Sequence, residues 1–207
     1  MKFKLLIIII LCLLSSKMIS QTDEIINLKG KWFFGAEIGN NTITSFVSNE
    51  KKNSIQGGIV SEYYFAKRWS VNAKLKYFKT GMSFNYNSIY GRFDGTVLTL
   101  PVNIKWEYPI FKNLRGNLKL GLALNKELES NYSYTVGKKT DYPTLYTNLN
   151  YGIGLNYFIN SKTSIFIDYE LYDLGTDKND NGSSDLLIDS ADNNLISIGV
   201  KYNFRKN

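Results

Sequence analysis

Leu195-Ile-Ser-Ile-Gly-Val-Lys-Tyr-Asn-Phe204 alternates apolar and polar residues along its whole length. In an extended chain successive side chains point to opposite faces. Ile196, Ile198, Val200, Tyr202 and Phe204 therefore share one face, and Ser197, Gly199, Lys201 and Asn203 share the other. An α-helix would scatter these two sets around its surface. The stretch predicts a strand with one apolar and one polar face.

Seven earlier segments repeat the pattern. In residues 31–39, Trp32, Phe34, Ala36 and Ile38 fall together. Residues 54–65 set Ile55, Ile59, Tyr63 and Phe65 against Gln56, Gly58 and Glu62. The third segment sets Trp69, Val71, Ala73, Leu75 and Tyr77 against Ser70, Asn72, Lys74 and Lys76. Residues 96–108 set Leu98, Leu100, Val102, Ile104 and Trp106 against Thr99, Asn103, Lys105 and Glu107. The fifth sets Leu118, Leu120, Leu122 and Leu124 against Lys119, Gly121, Ala123 and Asn125. The sixth sets Leu145, Leu149, Tyr151, Ile153, Leu155 and Tyr157 against Asn148, Asn150, Gly152, Gly154 and Asn156. The seventh sets Ile165, Ile167, Tyr169 and Leu171 against Asp168 and Glu170. Pro101 interrupts the fourth segment on its polar side. It forfeits a ladder hydrogen bond and calls for a bulge or lumen water there.

Each segment is roughly 9–12 residues, the length a tilted strand needs to cross a bilayer. The connections alternate. Those around 40–53, 79–95, 126–144 and 174–193 are long and rich in Asn, Ser, Gly and Asp; those around 66–68, 109–115 and 159–163 are short. Short periplasmic turns and long external loops are the outer-membrane arrangement, and an even strand count leaves both termini in the periplasm. The expected fold is all-β, an eight-stranded antiparallel up-and-down transmembrane β-barrel.

Residues 1–20 read as an export signal. Lys2 and Lys4 precede an apolar run from Leu5 to Leu14 that is too short to span a bilayer, and Ser15, Ser16 and Ser20 precede a cut before Gln21. Residues 21–30 are then a short periplasmic segment and residues 31–207 the barrel domain. Cleavage removes Cys12, the only cysteine, so the mature chain has no thiol chemistry. It also removes three lysines, which takes the formal charge from +7 to +4. The excess is spread along the chain, which excludes nucleic acid as an expected partner.

Aromatic residues give an independent test of depth. Trp32 and Trp69 open rising strands and Trp106 closes a falling one, so all three fall at the periplasmic level on the apolar face. Phe65, Tyr108, Tyr157, Tyr202 and Phe204 join them in one belt. Amphipathic rings suit the lipid–water boundary. The rival reading is a secreted lipocalin-like binding protein. Gly30-Lys31-Trp32 resembles the lipocalin Gly-x-Trp signature, and such barrels carry the same alternation with the apolar face turned inward. The tryptophan belt and a chain that stops three residues after the last strand, with no following helix, favour the membrane.

On these residues the chain resembles the small outer-membrane β-barrel family of Gram-negative bacteria, of the OmpX and OmpA transmembrane-domain type within the porin-family group. The resemblance covers residues 30–204 and rests on the strand pattern, on Leu98-Thr-Leu-Pro-Val-Asn-Ile-Lys-Trp106 and on Tyr202-Asn-Phe204. That ending is similar to the aromatic terminal signal read by the barrel-assembly machinery, here followed by Arg205-Lys-Asn207. The resemblance implies outer-membrane lipid and that machinery as partners, and identifies no substrate.

The chain contains no histidine. Barrel enzymes of this size use one with a serine or an acid, so Ser-His catalysis is excluded and no enzyme is expected. The polar face instead offers acids Glu37, Glu62, Glu107, Asp168 and Glu170 and bases Lys74, Lys76, Lys105, Lys119 and Lys201. An eight-stranded lumen is only wide enough to be filled by side chains, so these predict a packed network of ion pairs. Asp168 and Glu170 as a catalytic carboxylate pair are the weaker alternative. The fourth loop holds Asp177, Asn179, Asn181 and Asp185 in a D-x-N-x-N-G pattern like that of calcium loops. The acid expected at position twelve is replaced by Ile188, and a solvated turn explains the same residues. No cofactor is expected beyond weak Ca2+ there. Phe84, Tyr86, Tyr90, Phe93, Tyr132, Tyr134 and Tyr142 in the second and third loops offer rings to a glycan or protein, or to an upper belt.

The expected function is a non-enzymatic barrel with a plugged polar lumen, which serves envelope structure or surface interaction through its loops with an extracellular or envelope protein partner. The alternatives are a narrow conduit for small solutes, or an accessory barrel of a secretion or surface-motility complex.

Overall fold

The computed structural model describes residues 26–45, 51–86, 89–134, 145–173 and 191–204. Eight strands follow in order: β1 (Trp32–Ser45), β2 (Lys51–Tyr64), β3 (Trp69–Tyr86), β4 (Ile89–Pro109), β5 (Leu114–Tyr134), β6 (Leu145–Phe158), β7 (Thr163–Asp173) and β8 (Ala191–Tyr202). Each runs antiparallel to its neighbours. β1 also pairs with β8, from Phe34↔Tyr202 to Ser45↔Ala191, so the sheet closes on itself. Closure removes the two edges whose N–H and C=O groups would otherwise meet lipid unpaired.

Three turns join strands at one end, here the turn end. In the β2–β3 turn Ala66 N–H donates to Trp69 O at 3.2 Å, and in the β4–β5 turn Ile110 N–H donates to Leu114 O at 2.9 Å. In the β6–β7 turn Asn160 Oδ1 accepts from the Lys162 and Thr163 amides, both at 2.8 Å, the local asparagine chemistry that fixes tight turns. The opposite end, the loop end, carries the other four connections.

The polarity of the wall is inverted relative to a soluble barrel. Leu, Ile and Val from every strand are exposed outward, while Lys74, Lys76, Lys105, Glu62 and Glu170 are buried inside. This rules out the lipocalin arrangement. An apolar belt around a charged core is stable only in lipid, because water would solvate the wrong face.

The structure moves several boundaries. Residues 79–95, expected as a long loop, continue β3 and β4 as a paired hairpin up to Tyr86↔Ile89. Leu114 and Arg115, expected in a short turn, begin β5. Pro101 needs no bulge. The β3–β4 register is the same on both sides of it, and only the pairings of Lys74 with Pro101 and Leu75 with Leu100 are missing. The bulge lies higher: Thr96 faces Glu129 while Val97 faces Glu127, so Leu128 is the extra residue.

β2 and β3 stay paired only from Tyr64↔Ser70 to Gln56↔Phe78. Above that level they separate, and β3 turns into the lumen. The Thr80 hydroxyl lies 3.5 Å from Asn193 Oδ1 on β8, and the Lys79 carbonyl accepts from Asn41 Nδ2 on β1 at 3.4 Å and from the Ser54 hydroxyl. These two side chains satisfy a carbonyl that the ladder has left. Gly81, next along β3, has φ 151°, a value that side-chain-bearing residues rarely adopt.

The inverted wall makes a depth-dependent prediction. Leu122→Lys, at mid-height of the apolar band, should destabilise the barrel by about 2–4 kcal/mol, and Leu145→Lys, at the start of β6 near the loop end, by about 0–1 kcal/mol. Urea unfolding in lipid vesicles reads the difference; equal costs would show that the band does not lie at this height.

Candidate functional site

Most of the inward charges form two groups stacked along the barrel axis; Glu127, also buried, lies beyond them toward the loop end. In the upper group Lys74 Nζ lies 2.7 Å from Glu37 Oε2, 2.9 Å from Asp168 Oδ2 and 2.9 Å from Glu170 Oε1. Lys76 meets Glu37 at 2.6 Å and also Glu170. Lys119 meets Asp168 at 2.5 Å and Glu170 at 3.1 Å. Three ammonium groups and three carboxylates thus contact one another across β1, β3, β5 and β7. Gly154 makes room for this: a Cβ there would sit 2.2 Å from Asp168 Oδ1.

The lower group holds Glu62 and Glu107. Glu62 takes Lys105 and Lys201, both at 2.6 Å, and the Ser70 hydroxyl at 2.6 Å. Glu107 takes Lys105 at 2.9 Å, Arg115 at 3.3 Å, the Tyr64 hydroxyl at 2.8 Å and the Asn156 amide. Arg115 is the member of this group that the sequence reading missed. It shares the inward parity of Asn117 and Lys119, and that was the available signal. It makes the lower group three bases against two acids rather than a balanced pair of pairs.

Aromatic rings offset that excess. Arg115 stands 4.9 Å from the Phe158 ring centroid, and Lys201 stands 5.6 Å from Phe33, 5.6 Å from Tyr64 and 5.8 Å from Phe158. A ring face attracts a cation without a counter-charge.

The charges lie between two apolar layers that the sequence reading also missed. At the turn end Leu28, Phe33, Tyr64 and Phe158 close the lumen, with Ile26 packed against them. The segment before β1 is therefore part of this plug: Gly30 N–H donates to Tyr64 O at 2.7 Å, and Arg115 Nη2 donates to Ile26 O at 2.6 Å. Toward the loop end Phe78, Val97, Ala123, Tyr172 and Leu195 form the second layer. Water exclusion from both sides makes each ion pair electrostatically strong and each unpaired charge costly.

The belt residues lie outside. Trp32, Phe65, Trp69, Tyr157, Tyr202 and Phe204 are exposed, and Trp106 and Tyr108 half-buried. Trp69 is paired in register with Trp106, and Trp32 with Tyr63 at 4.7 Å between ring centroids. Asp177, Asn179, Asn181 and Asp185 lie outside the described residues, as does Tyr142. Among the described residues no cluster of His, Cys, Asp or Glu is disposed to hold a metal ion. Above the apolar band Asp94 accepts hydrogen bonds from Lys52 and from Arg92 Nε. Partial burial raises its carboxyl, but the two cations lower it further, so it is held below the usual carboxylate range.

A closed sheet with a lipid-facing outside and an ion-paired inside defines an integral membrane β-barrel. The chain belongs to the outer membrane protein beta-barrel domain family, whose model matches residues 9–204, and its place is the outer membrane. No curated protein matches its sequence. Among solved structures it is similar to Neisserial surface protein A, at 13% identity and TM-score 0.57, over 84% of this chain and 97% of that one. It is also similar to OprG of Pseudomonas aeruginosa, at 15% identity and TM-score 0.55, over 88% and 100% of the two chains. The attachment invasion locus protein Ail of Yersinia pestis matches at 16% identity and TM-score 0.50, over 85% and 99%. At these identities the likeness is one of fold.

Removing one partner from the buried network should cost about 3–5 kcal/mol, because the other charge stays buried and unpaired. Glu62→Gln and Lys119→Met are expected to show losses of that size in urea titrations, whereas Lys67→Met in the exposed β2–β3 turn should be nearly neutral. Negligible effects in all three would mean that water reaches the network freely.

Proposed function

We propose that this protein is a non-enzymatic outer-membrane barrel that serves envelope structure or surface interaction through the connections at its loop end. The reading places the turn end and both termini in the periplasm. One observation carries it: the lumen is filled by an ion-pair network closed by an apolar layer on each side. A solute conduit needs mobile counter-ions and a wet path. Here Lys74 and Glu62 are each held by several buried partners and have no freedom to relay a solute. With no histidine in the chain, the buried acids and bases have structural work to do as each other's counter-charges. What remains free to meet the surroundings is the loop end.

Two measurements test this. The purified barrel in a planar bilayer should give no sustained conductance; reproducible channels would promote the conduit reading. In intact cells Ser183→Cys, in the last connection, should react with a membrane-impermeant maleimide, while Ser161→Cys, in the β6–β7 turn, should react only after permeabilisation. The reverse pattern would invert the orientation.

A further inference from the structure

Where β2 and β3 part, the wall contains a cleft of about 870 Å3. Its lining mixes the two faces of the sheet. Gln56 and Thr80 come from inside, and Ile38, Ile55 and Tyr77 from outside. The cleft therefore passes into the wall from the side rather than opening only at the mouth. Its floor is the outward face of the β3–β5 extension, where Lys79, Thr96 and Glu129 sit side by side in register. Thr96 is buried on this otherwise exposed face, its hydroxyl 3.4 Å from Glu129 Oε2, and Lys52 of upper β2 reaches across to Asp94 nearby.

The functional groups in the cleft suit a hydroxyl-rich ligand. Gln56 donates through Nε2 to Ser197 Oγ at 2.8 Å. Its other end, Oε1, is an acceptor that takes no hydrogen bond among the described residues. Glu129 and Asn131 are exposed acceptors along the same floor, and Lys79 is in no ion pair among the described residues. A sugar hydroxyl donates and accepts at once and matches this mixture. Tyr77 adds an exposed ring beside Gly57, which carries no side chain to cover it. A ring face of this kind packs against the C–H face of a pyranose. An ammonium such as Lys79 suits a phosphate on the sugar.

Position selects the source. The outer rim is Ile38 and Ile55, the latter 76% exposed, at the upper edge of the apolar band. A ligand anchored in the membrane by acyl chains brings its head to this height. We propose that the cleft binds the sugar–phosphate head of a glycolipid in the outer leaflet, with its acyl chains lying against Ile38, Ile55 and Ile59. The proposal rests on the orientation given above and is independent of what the loops meet.

The test uses the purified barrel in detergent micelles, with rough-type lipopolysaccharide as the probe and native mass spectrometry as the readout. The wild type should retain one glycolipid per barrel. The double variant Lys79→Ala/Glu129→Ala, both exposed positions, should retain at least tenfold less and still show the heat-modifiable gel migration of a closed barrel. Lys67→Ala, at the other end, should bind as the wild type does. Equal retention by the wild type and the double variant overturns the site, and equal loss in Lys67→Ala reduces it to general charge attraction. Soluble core oligosaccharide bound as tightly as the intact glycolipid overturns the membrane source. Micelles have no sides, so failure here is distinct from failure of the orientation, which the maleimide experiment reads.

Discussion

The ammonium of Lys74, held among Glu37, Asp168 and Glu170, expresses the constraint on which the rest of the structure depends. A barrel in lipid must turn its apolar residues outward, so its interior inherits the polar ones. The interior of eight strands is too narrow to hold bulk water around them. Each charge must then find its counter-charge on another strand. Wall closure, inward glycines beside bulky acids and the two apolar layers all follow from keeping that network paired and dry.

The two layers have different makers. The one at the loop end comes wholly from strands, on β3, β4, β5, β7 and β8. The one at the turn end needs Leu28 and Ile26, which precede the first strand. The segment just before β1 thus packs into the turn-end mouth, and Arg115 ties the two together by bonding both Glu107 and the Ile26 carbonyl. The positive excess of the lower group is accordingly placed against Phe158, Phe33 and Tyr64, the rings that form the same plug.

Much of this was legible in the sequence because period-two alternation is a direct image of a two-faced wall. Leu118 to Leu124 could hardly be read otherwise. The reading failed where the alternation serves another purpose. Phe33, Tyr64, Phe78, Phe158, Tyr172 and Leu195 break the polar parity at the two levels where the lumen is capped rather than paired, and single apolar residues in a polar series leave no distinct pattern. In residues 79–95 Asn, Ser and Gly suggest a loop, although Phe84, Tyr86, Tyr90 and Phe93 lie in a paired hairpin. That hairpin reaches beyond the apolar band, so no lipid-facing apolar series marks it. The parting of β2 from β3 above Gln56↔Phe78 and the bulge at Leu128 leave no pattern in composition.

The closing seam also has a kinetic meaning. Ser197 and Glu37, which meet across it at 3.4 Å, are 160 residues apart in the chain. Contacts of such separation form late and slowly, since the loop entropy must be spent first. Until β8 reaches β1, Lys201 has no Glu62 and both seam strands present open ladders. Few partly closed forms are therefore worth occupying, and the barrel gains its stability nearly all at once. Amide protons on β1 and β8 should accordingly open together with those of the central strands, as one cooperative unit with no frayed margin at the join.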